Sequence, residues 1–110
     1  MIGVYDSGVG GLAVFREVRR LLPDADLVYL ADQANAPYGE RSIEEVRRFA
    51  EASVRTLLDH GAATVVVACN TASAFALKEL QESPVPILGV IEPGAHGALL
   101  LWFKPAPWPC

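Results

Sequence analysis

The sequence has too few cysteines for a disulfide framework. Cys69 and Cys110 are the only two, and Cys110 is the last residue printed. It also lacks a basic stripe. Nine Lys and Arg stand against 13 Asp and Glu, for a net charge of −4. Nucleic acid and anionic membrane are therefore not expected as partners. No apolar run approaches the ~18 residues of a membrane span. No signal-peptide pattern opens the chain, because the apolar stretch Ile2–Tyr5 meets Asp6 at once. No internal repeat is found. These absences point to a cytoplasmic chain, where thiols stay reduced and available for chemistry. What is present is a globular balance, 52% hydrophobic and 20% charged. The length suits one small domain or part of a larger one.

Strand and helix patterns alternate. Ile2–Tyr5 reads as a buried strand. Leu12, Phe15, Val18, Leu21 and Leu22 recur at helical spacing, and Pro23 stops them. Leu27–Ala31 predicts a second strand, and Asp32–Arg41 a loop carrying Pro37 and Gly39. Ser42 with Glu45 forms a capping box. Ile43, Val46, Ala50, Val54, Leu57 and Leu58 mark the inner face of the helix it opens, and Gly61 fits its end. Thr64–Ala68 is a β-branched run, a third strand. Asn70 or Thr71 is expected to cap a helix holding Ala72, Ala76, Leu77 and Leu80. Pro86–Ile91 predicts a fourth strand. Strands separated by helices give parallel crossovers, so the fold class is α/β, a parallel sheet sandwiched between helices in three layers.

Ligands of such sheets bind beyond the C-terminal strand ends. Polar and glycine residues collect there. Asp6-Ser7-Gly8-Val9-Gly10-Gly11 follows the first strand, and Asp32 and Pro37-Tyr38-Gly39 follow the second. Cys69-Asn70-Thr71 follows the third and Glu92-Pro93-Gly94 the fourth. Cys69 stands between a buried strand and a helix N-terminus, a setting that favours a thiolate. The plain alternative is an inert structural cysteine. Asn70 and Thr71 beside it argue for a rim position. Ser7 can donate to an anion, and Asp6 can orient an ammonium or assist a base. The plain alternative is a tight turn that Asp6 caps. Gly8-x-Gly10-x-x-Ala13 with Asp32 also fits a dinucleotide-binding pattern. Tyr38 can wall the site, its loop offering backbone N–H groups, or it can belong to a surface turn. His60 is read as a helix end. His96 and Cys110 receive no role.

Four segments together resemble the glutamate racemase family of the aspartate/glutamate racemase group. They are Asp6-Ser7-Gly8-Val9-Gly10-Gly11, Pro37-Tyr38-Gly39, Ala68-Cys69-Asn70-Thr71-Ala72-Ser73 and Gly89-Val90-Ile91-Glu92-Pro93. The Cys-Asn-Thr piece is shared with aspartate racemases. The glycine loop and Pro37-Tyr38-Gly39 favour glutamate. The resemblance implies cofactor-free inversion of glutamate by two thiols on opposite faces, with D-glutamate supplied to peptidoglycan. It implies that Cys69 is one thiol, with Asp6 beside it in catalysis. It implies that Asp6, Ser7, Tyr38, Gly39, Asn70 and Thr71 bind glutamate, and that the protein pairs as a homodimer.

The resemblance also implies a second α/β domain carrying a Gly-Cys-Thr-His segment, which this sequence does not contain. Residues 1–94 are therefore expected to form a partial N-terminal racemase domain, the incomplete first of two. Residues 95–110 are expected to be a divergent apolar and proline-rich tail, either left by a frameshift or truncation or a genuine short tail that packs Leu99–Phe103 on the sheet. Alone, the chain is expected to turn glutamate over poorly. Two other readings stand beside this one. The first is a Rossmann-type dinucleotide-binding module, and the second a non-catalytic fragment that persists as an interaction piece.

Overall fold

The computed structural model describes residues 1–89. The Glu92-Pro93-Gly94 strand end, His96, the tail and the end of the predicted fourth strand lie outside the described residues. Among the described residues, no helix is long and apolar enough to cross a membrane.

The elements run β1 (Ile2–Asp6), α1 (Leu12–Leu21), β2 (Leu27–Ala31), α2 (Ile43–Asp59), β3 (Thr64–Val67), α3 (Asn70–Leu80) and β4 (Ile87–Gly89). Two short 3-10 turns, Gln33–Asn35 and Tyr38–Glu40, occupy the loop after β2. All strand pairs are parallel, in the order β2-β1-β3-β4. Tyr5 on β1 stands opposite Leu30 on one side and Val67 on the other.

The alternation of side chains across the pleat builds the layers. Val4 and Val66 point to one face, where Val14, Phe15 and Val18 of α1 cover them. Tyr5, Val65 and Val67 point to the other, beneath Val46, Ala50, Val54 and Leu57 of α2 and Ala76 of α3. A strand buried on both faces has no polar side to show, hence the unbroken valines of β3. The result is the expected three-layer α/β sandwich.

The Ser42–Glu45 capping box forms in full. The Ser42 hydroxyl accepts from the Glu45 N–H at 3.1 Å, and the Glu45 carboxylate accepts from the Ser42 N–H at 3.2 Å. That second bond chiefly holds the Glu45 carboxyl below the usual range. A depressed folded-state pKa means its share of stability is present above the ordinary glutamate pKa. It is lost as pH falls through the folded value. Ser42→Ala is expected to cost about 1 kcal/mol in urea unfolding at neutral pH. No change in the midpoint would remove the cap from the account.

At the far end of α2, Gly61 takes φ 96°, a left-handed turn that glycine adopts without strain. β1 runs one residue further than expected, to Asp6, β4 begins one residue later, at Ile87, and three other details differ from the sequence reading. Ile43 is 48% exposed rather than inward, because it sits in the first turn of α2, where no layer covers it. β3 ends at Val67, one residue early. The third difference, the cap of α3, bears on the site.

Candidate active site

The strand order creates the site. From β1 the chain crosses outward through α1 to β2, and from β3 it crosses the opposite way through α3 to β4. Between β1 and β3 the direction of winding reverses. The crevice above such a switch point is where doubly wound sheets bind ligands. Asp6 and Ser7 leave one side of it, and Cys69 and Asn70 leave the other.

Cys69 is buried, 5% exposed. It remains extended (φ −78°, ψ 121°) before the chain turns helical at Asn70, so Cys69 itself is the N-cap of α3. Its sulfur accepts from the Ala72 N–H at 3.4 Å. This corrects the expectation that Asn70 or Thr71 caps the helix. Those two residues are the first of the helix proper, Asn70 exposed and Thr71 half-buried. Across the crevice, Cys69 Sγ lies 3.6 Å from Ser7 Oγ, as donor to it. Residues 62 positions apart in sequence are thus brought into contact.

Asp6 has the capping geometry. Its Oδ2 accepts from Gly8 N–H at 3.3 Å and from Gly11 N–H at 2.9 Å. The loop it ties is fixed from the other side by Tyr29, whose hydroxyl donates to the Gly8 carbonyl at 2.7 Å. Burial, and then the nearby Asp6 charge, push the Tyr29 phenol up to about 12. It is therefore a neutral donor at physiological pH.

Tyr38 is 2% exposed, and its ring belongs to the core. Its hydroxyl donates to Asp32 Oδ2 at 2.5 Å and accepts from the Tyr5 hydroxyl at 2.6 Å. Burial first, and these bonds next, raise its pKa far above the usual phenol value. The side chain is thus spent on anchoring the loop, and it is the neighbouring Gly39 that is exposed. The turn that holds both residues packs against α3. Asp32 takes two further bonds from Asn35 Nδ2, at 3.0 and 3.1 Å. Its carboxylate is engaged in the loop rather than offered to a ribose. The strand order also departs from the dinucleotide fold, whose third strand lies beyond the second and not beyond the first.

Sequence reasoning missed Tyr5 and Tyr29 as polar parts of this region. Both sit in apolar runs and read as core. Nothing local distinguishes a buried ring from a buried ring with a bonded hydroxyl. His60 ends α2 as expected, with Nδ1 2.8 Å from the Thr56 carbonyl oxygen. No cluster of metal-ligating side chains occurs among the described residues. A groove of about 560 Å³ opens between α2 and α3, lined by residues such as Arg47, Arg55 and Glu79, and none of the site residues reaches it.

Residues 9–106 match the family model described as Asp/Glu/hydantoin racemase. The chain belongs to the Asp/Glu/hydantoin racemase family. Within that family it is 54% identical over 99 residues to a glutamate racemase of Oceanobacillus iheyensis, covering 89% of this chain and 36% of that protein. A glutamate racemase of Aquifex aeolicus is 50% identical over 99 residues, covering 89% of this chain and 39% of its own length. The solved glutamate racemase of Thermus thermophilus, in complex with beta-chloro-D-alanine, superposes with a TM-score of 0.81 at 51% identity. It covers 88% of this chain and 38% of that one. This racemase-family chain therefore spans well under half the length of the relatives it matches.

Proposed function

We propose that this chain supplies one half of a glutamate racemase site, with Cys69 as one of two thiols that interconvert L- and D-glutamate. The observation that carries the reading is the meeting of Cys69 and Ser7 at the β1/β3 switch point, 3.6 Å apart. Inversion at the α-carbon needs a base on one face and an acid on the other. The Cys69 thiolate takes the α-proton, leaving a carbanion stabilised by the adjoining carboxylate. A thiol on the opposite face, from the second domain that this family uses, delivers a proton. The reverse reaction exchanges the roles. No cofactor is required.

In this reading Asp6 and Ser7 meet the ammonium and assist the thiol. The backbone of Tyr38 and Gly39, with Asn70 and Thr71, holds the carboxylates. The D-glutamate formed supplies peptidoglycan in the cytoplasm, and the complete enzyme pairs as a homodimer.

The test is a chimera in which residues 1–89 replace the matching segment of the Aquifex aeolicus relative. Circular dichroism should follow interconversion of L- and D-glutamate well above the uncatalysed rate. A chimera that folds but leaves both enantiomers unchanged would overturn the reading.

A further inference from the structure

Gly8 lies between Ser7 and the exposed residues Val9 and Gly10, and it carries no side chain to pack. A Cβ built on Gly8 would meet nothing within 4 Å. Side-chain packing therefore does not hold this peptide, and a glycine there turns freely. Two hydrogen bonds hold it instead. Asp6 Oδ2 takes the Gly8 N–H, and the Tyr29 hydroxyl donates to the Gly8 carbonyl at 2.7 Å. The first tether comes from the end of β1, only two residues back along the chain. The second comes from β2, part of the rigid sheet, where Tyr29 stands opposite Val4. The Phe15 ring packs against the Tyr29 ring in a T-shaped pair, at 5.6 Å and 78°. The residue whose position this decides is Ser7, whose hydroxyl rests on the Cys69 sulfur.

We propose that Tyr29 is a positioning residue for the Cys69 thiol, acting through Gly8 to seat the Ser7 hydroxyl against the sulfur. Its value to catalysis rests on the racemase reading, but the positioning itself is tested without turnover. As a thiol Cys69 donates to the Ser7 hydroxyl; once ionised the sulfur can only accept, and the seated hydroxyl then turns to donate to it in the stronger, charge-assisted bond. Seating Ser7 therefore favours the reactive form. The acidic groups close to the Tyr29 phenol are Asp6 at the end of β1 and Cys69 after β3. Tyr5 lies near the thiol from β1. Tyr29→Phe alters none of these charges, because the phenol is neutral throughout the range probed.

The experiment follows alkylation of Cys69 by iodoacetamide in the full 110-residue chain. Rates are read from pH 6 to pH 10, with peptide mass spectrometry separating Cys69 from Cys110. Tyr29→Phe keeps the ring on Phe15 and removes one oxygen. It should raise the midpoint of the rate profile by roughly half to one pH unit. Ser7→Ala should raise it equally, and the double variant no further. A midpoint unmoved by Tyr29→Phe overturns the proposal, including the case in which only the plateau rate rises because a loosened loop admits the reagent. Additive shifts in the double variant overturn it too, since Tyr29 would then act by another route. An unmoved midpoint in Ser7→Ala removes Ser7 from the thiol and overturns it as well. The racemase reading stands or falls on chimera turnover, so either can fail without the other.

Discussion

Cys69→Ala in the chimera is expected to slow exchange of the glutamate α-proton in heavy water by about 10²–10⁴-fold, the usual contribution of a positioned acid/base group. Proton NMR of the α-hydrogen measures it directly. The variant also removes the acceptor that caps α3, so part of its effect will be structural. Sulfur is a weak acceptor, and losing this cap should cost about 0.5–1 kcal/mol, too little to unfold the domain. Cys69→Ser separates the two contributions. Serine is a preferred N-cap and should restore or exceed the original stability. Its hydroxyl is a far weaker acid than a thiol and should not restore exchange. If Cys69→Ala keeps exchange within a few-fold of the parent chimera, Cys69 is a structural cysteine. The cap to Ala72 is then its whole role.

Gly11→Ala should be the most disruptive single methyl in the glycine loop. A Cβ at Gly11 would lie 2.7 Å from Asp6 Cβ, 2.8 Å from the Tyr29 hydroxyl and 3.0 Å from Ala68 Cβ. Two of these atoms are first side-chain carbons, fixed to strand ends and unable to swing aside. The third bonds the Gly8 carbonyl. Relief must come from moving the loop away from β3, which breaks the Asp6 bonds to Gly8 and Gly11. The expected cost is about 1–3 kcal/mol, or a Tm lower by roughly 5–15 °C. Gly10→Ala is the control. Its Cβ would meet only Asp6 Oδ2, at an ordinary 3.7 Å, and thermal melts should barely change. Equal melts for the two variants would mean that the loop yields freely. The tight approach at Gly11 would then not be what seats it.

Much of the fold was readable locally. The β2 boundaries Leu27–Ala31 and the Ser42–Glu45 capping box were both legible, because a strand run and a cap depend on neighbours a few residues apart. Cys69 was placed correctly at a strand end for the same reason. The cap of α3 was not. A cysteine is rarely an N-cap, and the polar Asn70 and Thr71 are the stronger local signal. Here Cys69, two residues past the end of β3, is still extended and takes the capping position with its thiol. Tyr38 shows the same limit. Its proline-glycine setting left a surface turn and a wall of the site both open, yet its hydroxyl is bonded to Tyr5 and Asp32 inside the protein.

The sequence by itself determined which segments are strands and helices, that the sheet is parallel, and that polar residues gather at its C-terminal ends. Those properties follow from periodicity, caps and breakers, which act over short stretches of chain. Only the tertiary structure decided the order β2-β1-β3-β4 and, with it, that Ser7 and not Asp32 meets Cys69. Strand order depends on which face each crossover helix covers. That is settled by the burial of Val4, Val66, Tyr5 and Val67 against partners far along the chain. The bonds of Tyr29 and Tyr38 come from the same source. A phenol in an apolar strand finds its polar partner only after the sheet has closed around it.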